Sequence, residues 1–313
     1  MDLRQLAALT AVADTGTFSA AADLLHTVQS NVSTHIARLE RELGVTLVDR
    51  AAGRLTEEGE VVVARSRRIA GELDALVADV ASLRSDVTGG VRLGVIGTTG
   101  RWLMPPLLAA MVLRHPNVRV SASEGNTTAL LPSLVSGQLD LALLNLPVED
   151  PDIAVTALFE EDLIVVAPAG HPLAERDEVT LEELADHELL LTPQGTSIRV
   201  DLDRAAAAAG VTLRAKAELD GIRLIASLTI EGFGAAVLPA SAVPAYLVGE
   251  WRRVAIRGIG RRQVALARRR RGLLSAPARA LSQVVADVVA ASSSDQPGVF
   301  PVEGDAGVGR GAT

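Results

Sequence analysis

Cysteine is absent from all 313 residues. The chain therefore cannot form a disulfide, a thiolate zinc site, a cysteine nucleophile or a thiol redox sensor. Aromatic residues are scarce: Phe18, Phe159, Phe233, Phe300, Trp102, Trp251 and Tyr246 are all of them. The core must come from Leu, Val, Ile and Ala, and an aromatic cage for a cation is not expected. Lys216 is the single lysine, so nearly every cation is a guanidinium. No uncharged apolar run reaches the roughly 18 residues a transmembrane helix needs. Asp2 and Arg4 lead straight into a periodic pattern, not a secretory signal. A cytoplasmic protein with no membrane partner is expected. The formal net charge is −8, so overall charge does not mark a nucleic-acid binder, and any such role rests on local residues.

What is present is ample apolar material, 48% of the chain, for about two domains. Residues 1–58 hold three short helical patterns and a hairpin. Leu3, Leu6, Leu9 and Val12 recur at helical spacing. Ser19 is placed to cap a second helix, Ala20–Leu25. A third runs from Gln29 to Glu42, with Val32, Ile36 and Leu39 on one face and Gly44 as its stop. Val45–Asp49, a turn at Ala51-Ala52-Gly53 and Arg54-Leu55 read as a two-stranded wing. A long helix follows, serving as a linker over 59–88. Its Ile69, Leu73, Leu76, Val80, Leu83 and Val87 alternate spacings of four and three, a coiled-coil seam flanked by mixed charges. The alternative is a stripe packed on its own domain. Gly89-Gly90 reads as a hinge. Residues 91–291 alternate apolar strands with helices, which implies parallel sheets. A break at Pro168–Pro172 suggests two lobes, the first about 91–163 and 267–291, the second about 164–266. Residues 292–313 lack periodicity and read as a disordered tail.

The spacing of Gly16, Phe18, Ala21, Ala22 and Leu25, followed by Gln29, Ser33, Ile36, Leu39, Glu40, Leu43, Gly44, Leu47 and Arg50, resembles the DNA-binding region of the LysR-type transcriptional regulators. Val28, Ser30, Thr34 and Val48 depart from that pattern and leave the third helix with fewer cations. The resemblance extends at lower specificity to about residue 290. It implies an N-terminal all-α winged helix-turn-helix, a long linker helix, and a C-terminal α/β two-lobed effector domain like a periplasmic binding protein. It implies sequence-specific DNA binding modulated by a small-molecule effector, no catalysis, no cofactor and no metal. The implied partners are promoter DNA, the effector, further copies of the chain as homodimer or homotetramer, and RNA polymerase.

In a helix-turn-helix the start of the second helix of the motif enters the major groove. Gln29, Ser30, Ser33 and Thr34 share one face there, opposite Val32, Ile36 and Leu39. Gln29 can make paired hydrogen bonds to adenine. Arg38 and Arg54 suit phosphates, though Arg38 could instead pair with Glu42 one turn on. Ligands in open α/β sheets sit beyond the carboxyl ends of strands. Helix starts near Gly97–Gly100 and Pro193–Ser197 suit an anion, with Arg101 and Arg199 close by. By resemblance, Thr98, Thr99, Asn126, Asn145, Thr196 and Phe233 line the effector cleft. Thr98 and Ser197 could equally be plain helix caps. The run Arg268–Arg271 could be a nucleic-acid patch, but reads better as a strand end where the chain crosses between lobes. The second half alone would suit a transport protein, which would not carry a helix-turn-helix. An enzyme is disfavoured because the five histidines are scattered and no G-x-S-x-G, H-E-x-x-H or phosphate-loop motif occurs.

Overall fold

The computed structural model describes residues 1–50, 52–83 and 86–302. Helix α1 (Leu3–Thr15) starts in a capping box: the Asp2 carboxylate accepts from the Arg4 and Gln5 N–H groups, and Gln5 Oε1 accepts from Asp2 N. The Gln5 N–H, and then that of Arg4, hold the Asp2 carboxyl below the usual carboxylate range. Gly16, at φ 75°, ends α1 in the left-handed conformation and delivers Thr17 extended, at φ −141°. Thr17 therefore caps α2 (Phe18–Leu24) by accepting from Ala20 N at 3.1 Å. The expected Ser19 cap is corrected: Ser19 lies inside the helix. Helix α3 (Gln29–Leu43) stops at Gly44, and strands β1 (Val48–Asp49) and β2 (Arg54–Leu55) form the antiparallel wing. Ala51, from the expected turn, lies outside the described residues. The helices close over Leu9, Val32, Ile36, Leu39 and Leu47, all fully buried. Glu40 Oε1 accepts from Leu47 N at 2.9 Å, which pins the wing to α3.

Thr56 caps α4 (Glu57–Ser82). A Cβ at Gly59 would sit 2.1 Å from the Leu47 carbonyl oxygen, so only glycine lets α4 start against the wing. The helix ends well before residue 88; Arg84 and Ser85 lie outside the described residues. The seam residues Ile69, Leu73, Leu76 and Val80 are exposed within one chain. The flank of α4 beside that seam is tied to the first lobe. Arg68 Nε donates to the Val135 carbonyl at 3.0 Å, and Asp79 Oδ1 accepts from Ala276 N at 2.7 Å.

The second half runs β3 (Gly89–Ile96), α5 (Gly97–Arg114), β4 (Val118–Gly125), α6 (Thr127–Ser136), β5 (Leu141–Asn145) and β6 (Ile153–Glu161). It then crosses at Asp162 into β7 (Leu163–Pro168), β8 (Glu178–Val179), α7 (Leu181–Ala185), β9 (Glu188–Leu191), α8 (Ser197–Ala208), β10 (Arg214–Glu218), α9 (Ile222–Ile230), β11 (Ala236–Pro239) and β12 (Trp251–Ile256). It returns through residues 257–261 into β13 (Arg262–Arg269), α10 (Ala276–Ser292) and β14 (Val299–Pro301). The strands form two six-stranded sheets, ordered β14-β6-β13-β5-β3-β4 and β10-β9-β11-β7-β12-β8. Each sheet has its own core, with Leu93, Leu103, Leu107 and Leu141 in the first and Val165, Leu184 and Leu189 in the second. Burying each such side chain contributes about 1.5–3 kcal/mol.

Four expectations change here. The sheets are mixed: β13 is antiparallel to β5 and β6, and β7 to β11 and β12. The reversals fall on the strands next to the two crossings. The return crossing is at 257–261, not 266/267, because Arg262 already pairs in register with Glu161 of the first lobe. Gly89 and Gly90 are the first residues of β3, not a free hinge. Gly89, at φ 122°, lets α4 and α10 approach: a Cβ there would lie 3.3 Å from the Ala78 Cβ and 3.2 Å from Pro277 Cγ. Residues 292–302 of the expected tail are ordered. β14 pairs along the outer edge of β6, and the Gly298 carbonyl accepts from the Asp162 N–H at 2.9 Å. Residues 303–313 lie outside the described residues.

Candidate DNA interface and effector cleft

At the start of α3, Gln29, Ser30 and Thr34 are exposed and Ser33 is half-buried. Their polar ends form one outward face because Val32, Ile36 and Leu39 hold the other side in the core. The cap position, Val28, offers no side-chain acceptor, so the positive end of the helix is left to an outside group. Thr34 Oγ1 donates to the Ser30 carbonyl at 2.8 Å, which holds its rotamer. Arg38 is exposed and does not pair with Glu42, whose carboxylate takes the N-terminal ammonium of Met1 and Gln5 Nε2 instead. Arg54, on the wing, is exposed. Among the described residues neither the Arg38 nor the Arg54 guanidinium has a hydrogen-bond or ion-pair partner. Arg50 joins this surface although the sequence reading gave it no DNA contact. It lies 5.4 Å over the Phe18 ring and its Nη1 donates to Ser33 Oγ at 3.4 Å.

Between the lobes lies a cavity of about 520 Å³. Of the expected lining residues, Thr98, Asn126, Asn145 and Thr196 are brought together there. Thr99, Arg101 and Phe233 are not. Thr99, in the first turn of α5, is fully buried. Arg101 Nη1 reaches the Ala242 carbonyl at 3.3 Å, and Phe233 is 59% exposed at a loop tip. Arg199 is also spent: Asp203, Glu218 and the Thr192 carbonyl occupy its guanidinium. The Arg268–Arg271 run ends β13 far from either crossing. Arg269 and Arg270 donate to the carbonyls of Leu139 and Ile153, which ties this strand end to the rest of the first lobe.

Neither α5 nor α8 has a side-chain cap at its start. Thr98 is not the cap of α5; its hydroxyl accepts from Arg262 Nη2 at 2.7 Å. Thr196 turns its hydroxyl to the Pro193 carbonyl and Thr192. Arg262, which the sequence reading missed, lines the cavity from the return crossing. Its Nε donates to Glu161 Oε1 at 2.7 Å, and Glu161 is fully buried. Arg262 Nη1 has no partner among the described residues. Asn145 Oδ1 is buried without one as well. Glu124 and Arg223, from opposite lobes, form an ion pair at 2.7 Å and line the same cavity with Asp220 and Ser197. No local pattern marks these residues; they come from five different segments.

A winged helix-turn-helix rigidly joined to a long helix, followed by a two-lobed domain with a polar cleft, defines a DNA-binding regulator that carries a ligand-binding module. Two family descriptions match: "Bacterial regulatory helix-turn-helix protein, lysR family" over residues 3–60 and "LysR substrate binding domain" over residues 84–290. The chain belongs to the LysR family of transcriptional regulators. It is 35% identical over 246 residues to a "Probable hydrogen peroxide-inducible genes activator" of Streptomyces viridosporus, a match covering 77% of this chain and 78% of that one. It is 29% identical over 246 residues to the "DNA-binding transcriptional dual regulator OxyR" of Escherichia coli, covering 78% and 81% of the two chains. Among solved structures it resembles a full-length OxyR cysteine-to-aspartate variant from Pseudomonas aeruginosa, with a TM-score of 0.76 and 27% identity, covering 97% of this chain and 98% of that one.

Proposed function

We propose that this regulator reads promoter DNA through Gln29, Ser30, Ser33 and Thr34, anchors on phosphates through Arg38 and Arg54, and is switched by a small organic anion held between its lobes. The observation that carries the effector reading is the cavity of about 520 Å³ into which Arg262 and the uncapped starts of α5 and α8 turn their donors. The exposed seam of α4 supports assembly as a homodimer or homotetramer. RNA polymerase is the remaining partner of a regulator seated at a promoter, in the cytoplasm. The relatives are named for induction by peroxide. Thiol peroxide sensing runs through oxidation of a thiolate, and a chain with no cysteine has no group for that step. The reading keeps to the relatives on DNA and departs from them on the signal.

The test is a thermal-shift survey of organic acids on the full chain, followed by footprinting on the DNA upstream of its gene. A ligand at 100 times its Kd stabilises by about 2.7 kcal/mol. Asn145→Leu removes a polar atom that has no partner, so the protein should stay folded while the shift and the footprint change are lost. A survey in which no acid shifts the transition, or an Asn145→Leu protein that responds unchanged, refutes the effector reading.

A further inference from the structure

The charges on the cleft do not favour an anion as they stand. Its ionisable lining is Glu124, Asp220, Arg223 and Arg262, two carboxylates against two guanidinium groups. Arg262 is already neutralised by the buried Glu161. Arg223 is held by Glu124. An incoming carboxylate therefore meets no uncompensated cation unless Arg223 is released.

Glu124 itself sits where such a carboxylate would go. It ends β4 in the first lobe, while Arg223 lies in the first turn of α9 in the second. A Cβ at Gly97, the first residue of α5, would lie 2.6 Å from Glu124 Oε1 and 3.5 Å from Arg223 Nε. The Glu124 carboxylate thus rests against the start of an 18-residue helix and on a guanidinium of the other lobe. These are the two features that would hold a bound anion.

We propose that the Glu124–Arg223 pair is an internal lock across the cleft, and that an effector carboxylate acts by taking Arg223 from Glu124. This rests on the effector reading above and names its counter-ion: Arg223 determines that the ligand carries a carboxylate, and Glu124 is its built-in competitor. The side chains are about half exposed, at 52% and 46%, so the lock is weak. Exposed pairs bias an equilibrium by about two- to fivefold. A weak lock suits a switch, because a ligand must overcome whatever holds the unbound arrangement before it shifts the population.

The absence of native cysteine makes the test direct. Cysteines introduced at the exposed positions Arg119 and Glu231, one in each lobe, take spin labels and nothing else does. Pulsed electron resonance on the full chain then reads the distribution of interlobe distances. Glu124→Gln and Arg223→Gln should each shift that distribution about two- to fivefold in population. The swapped protein, Glu124→Arg with Arg223→Glu, should return it to that of the parent. Sodium acetate, compared with sodium chloride at equal ionic strength, should move the parent toward the Glu124→Gln distribution and leave Arg223→Gln unmoved. Single variants that match the parent, a swap that restores nothing, or acetate that is silent or acts equally on Arg223→Gln each overturn the lock. A failed survey of organic acids would strike the effector reading and leave the swap result standing, so the two failures are distinguishable.

Discussion

Replacing Arg262 with methionine should destabilise the two-lobed domain by about 3–5 kcal/mol, the cost of leaving a buried carboxylate without its partner. The structure gives Glu161 no other way to hold its charge. Its side chain is 0% exposed and that of Arg262 is 5% exposed, so the carboxylate has no solvent to turn to and the guanidinium touches only the cleft. Once Arg262 is gone, Glu161 keeps one donor, the Ser241 N–H at 2.9 Å. That bond also joins the lobes, because Glu161 ends β6 of the first and Ser241 belongs to the second. For a domain of this size, 1 kcal/mol moves the midpoint by roughly 2–4 °C, so Arg262→Met should lower it by roughly 6–20 °C. Adding Glu161→Gln should recover most of the loss. The amide is neutral, and its oxygen still accepts from Ser241. Calorimetry of the full chain, with the four proteins of the cycle, measures the coupling. A loss below about 1 kcal/mol for Arg262→Met, or a double variant worse than the two singles added together, would refute the reasoning that a buried charge is at stake.

Gln29→Ala should remove about 1–3 kcal/mol of discrimination at one base position per half-site, read as binding to a panel of single-base operator variants. Arg54→Ala should instead weaken all operators alike and lower the salt slope of binding by about 1. Leu73→Glu with Leu76→Glu should give monomers by light scattering, since both residues belong to the exposed seam of α4. Burial, and then the charge of His187, hold the His171 imidazole below its ordinary value of 6.5. The unfolded chain then takes up a proton more readily than the folded one. This contribution to stability is complete above pH 6.5 and is lost as pH falls below it toward the folded value. His171→Asn, which can still accept from Leu173 N, should flatten the dependence of the midpoint on pH below about 6.5.

The elements that were legible in sequence are those whose signal is local. The face of Val32, Ile36 and Leu39, the stop at Gly44 and the seam of α4 each repeat within a few turns, and the helices form where that repeat lies. Thr98, Asn126, Asn145 and Thr196 were expected at the cleft from the family resemblance, and all four line the cavity. Arg101, expected from its nearness to a helix start, and Phe233, expected from the resemblance, do not. Proximity in sequence to a helix start or a glycine loop does not decide which way a side chain turns, and one went to a carbonyl while the other went to solvent.

Sequence alone determined the kind of protein through the spaced residues from Gly16 to Arg50 that resemble the LysR family, and it determined the helix period and glycine stops, which depend only on neighbours along the chain. It could not determine the chemistry of the cleft. Glu161 and Arg262 stand 101 residues apart, and Glu124 and Arg223 belong to different lobes. As isolated letters all four read as surface charges. Only the two crossings of the chain bring them together, and there one pair is shut away from water while the other stays half in it. That difference in solvation sets the strength of an ion pair, and it exists only in the folded protein.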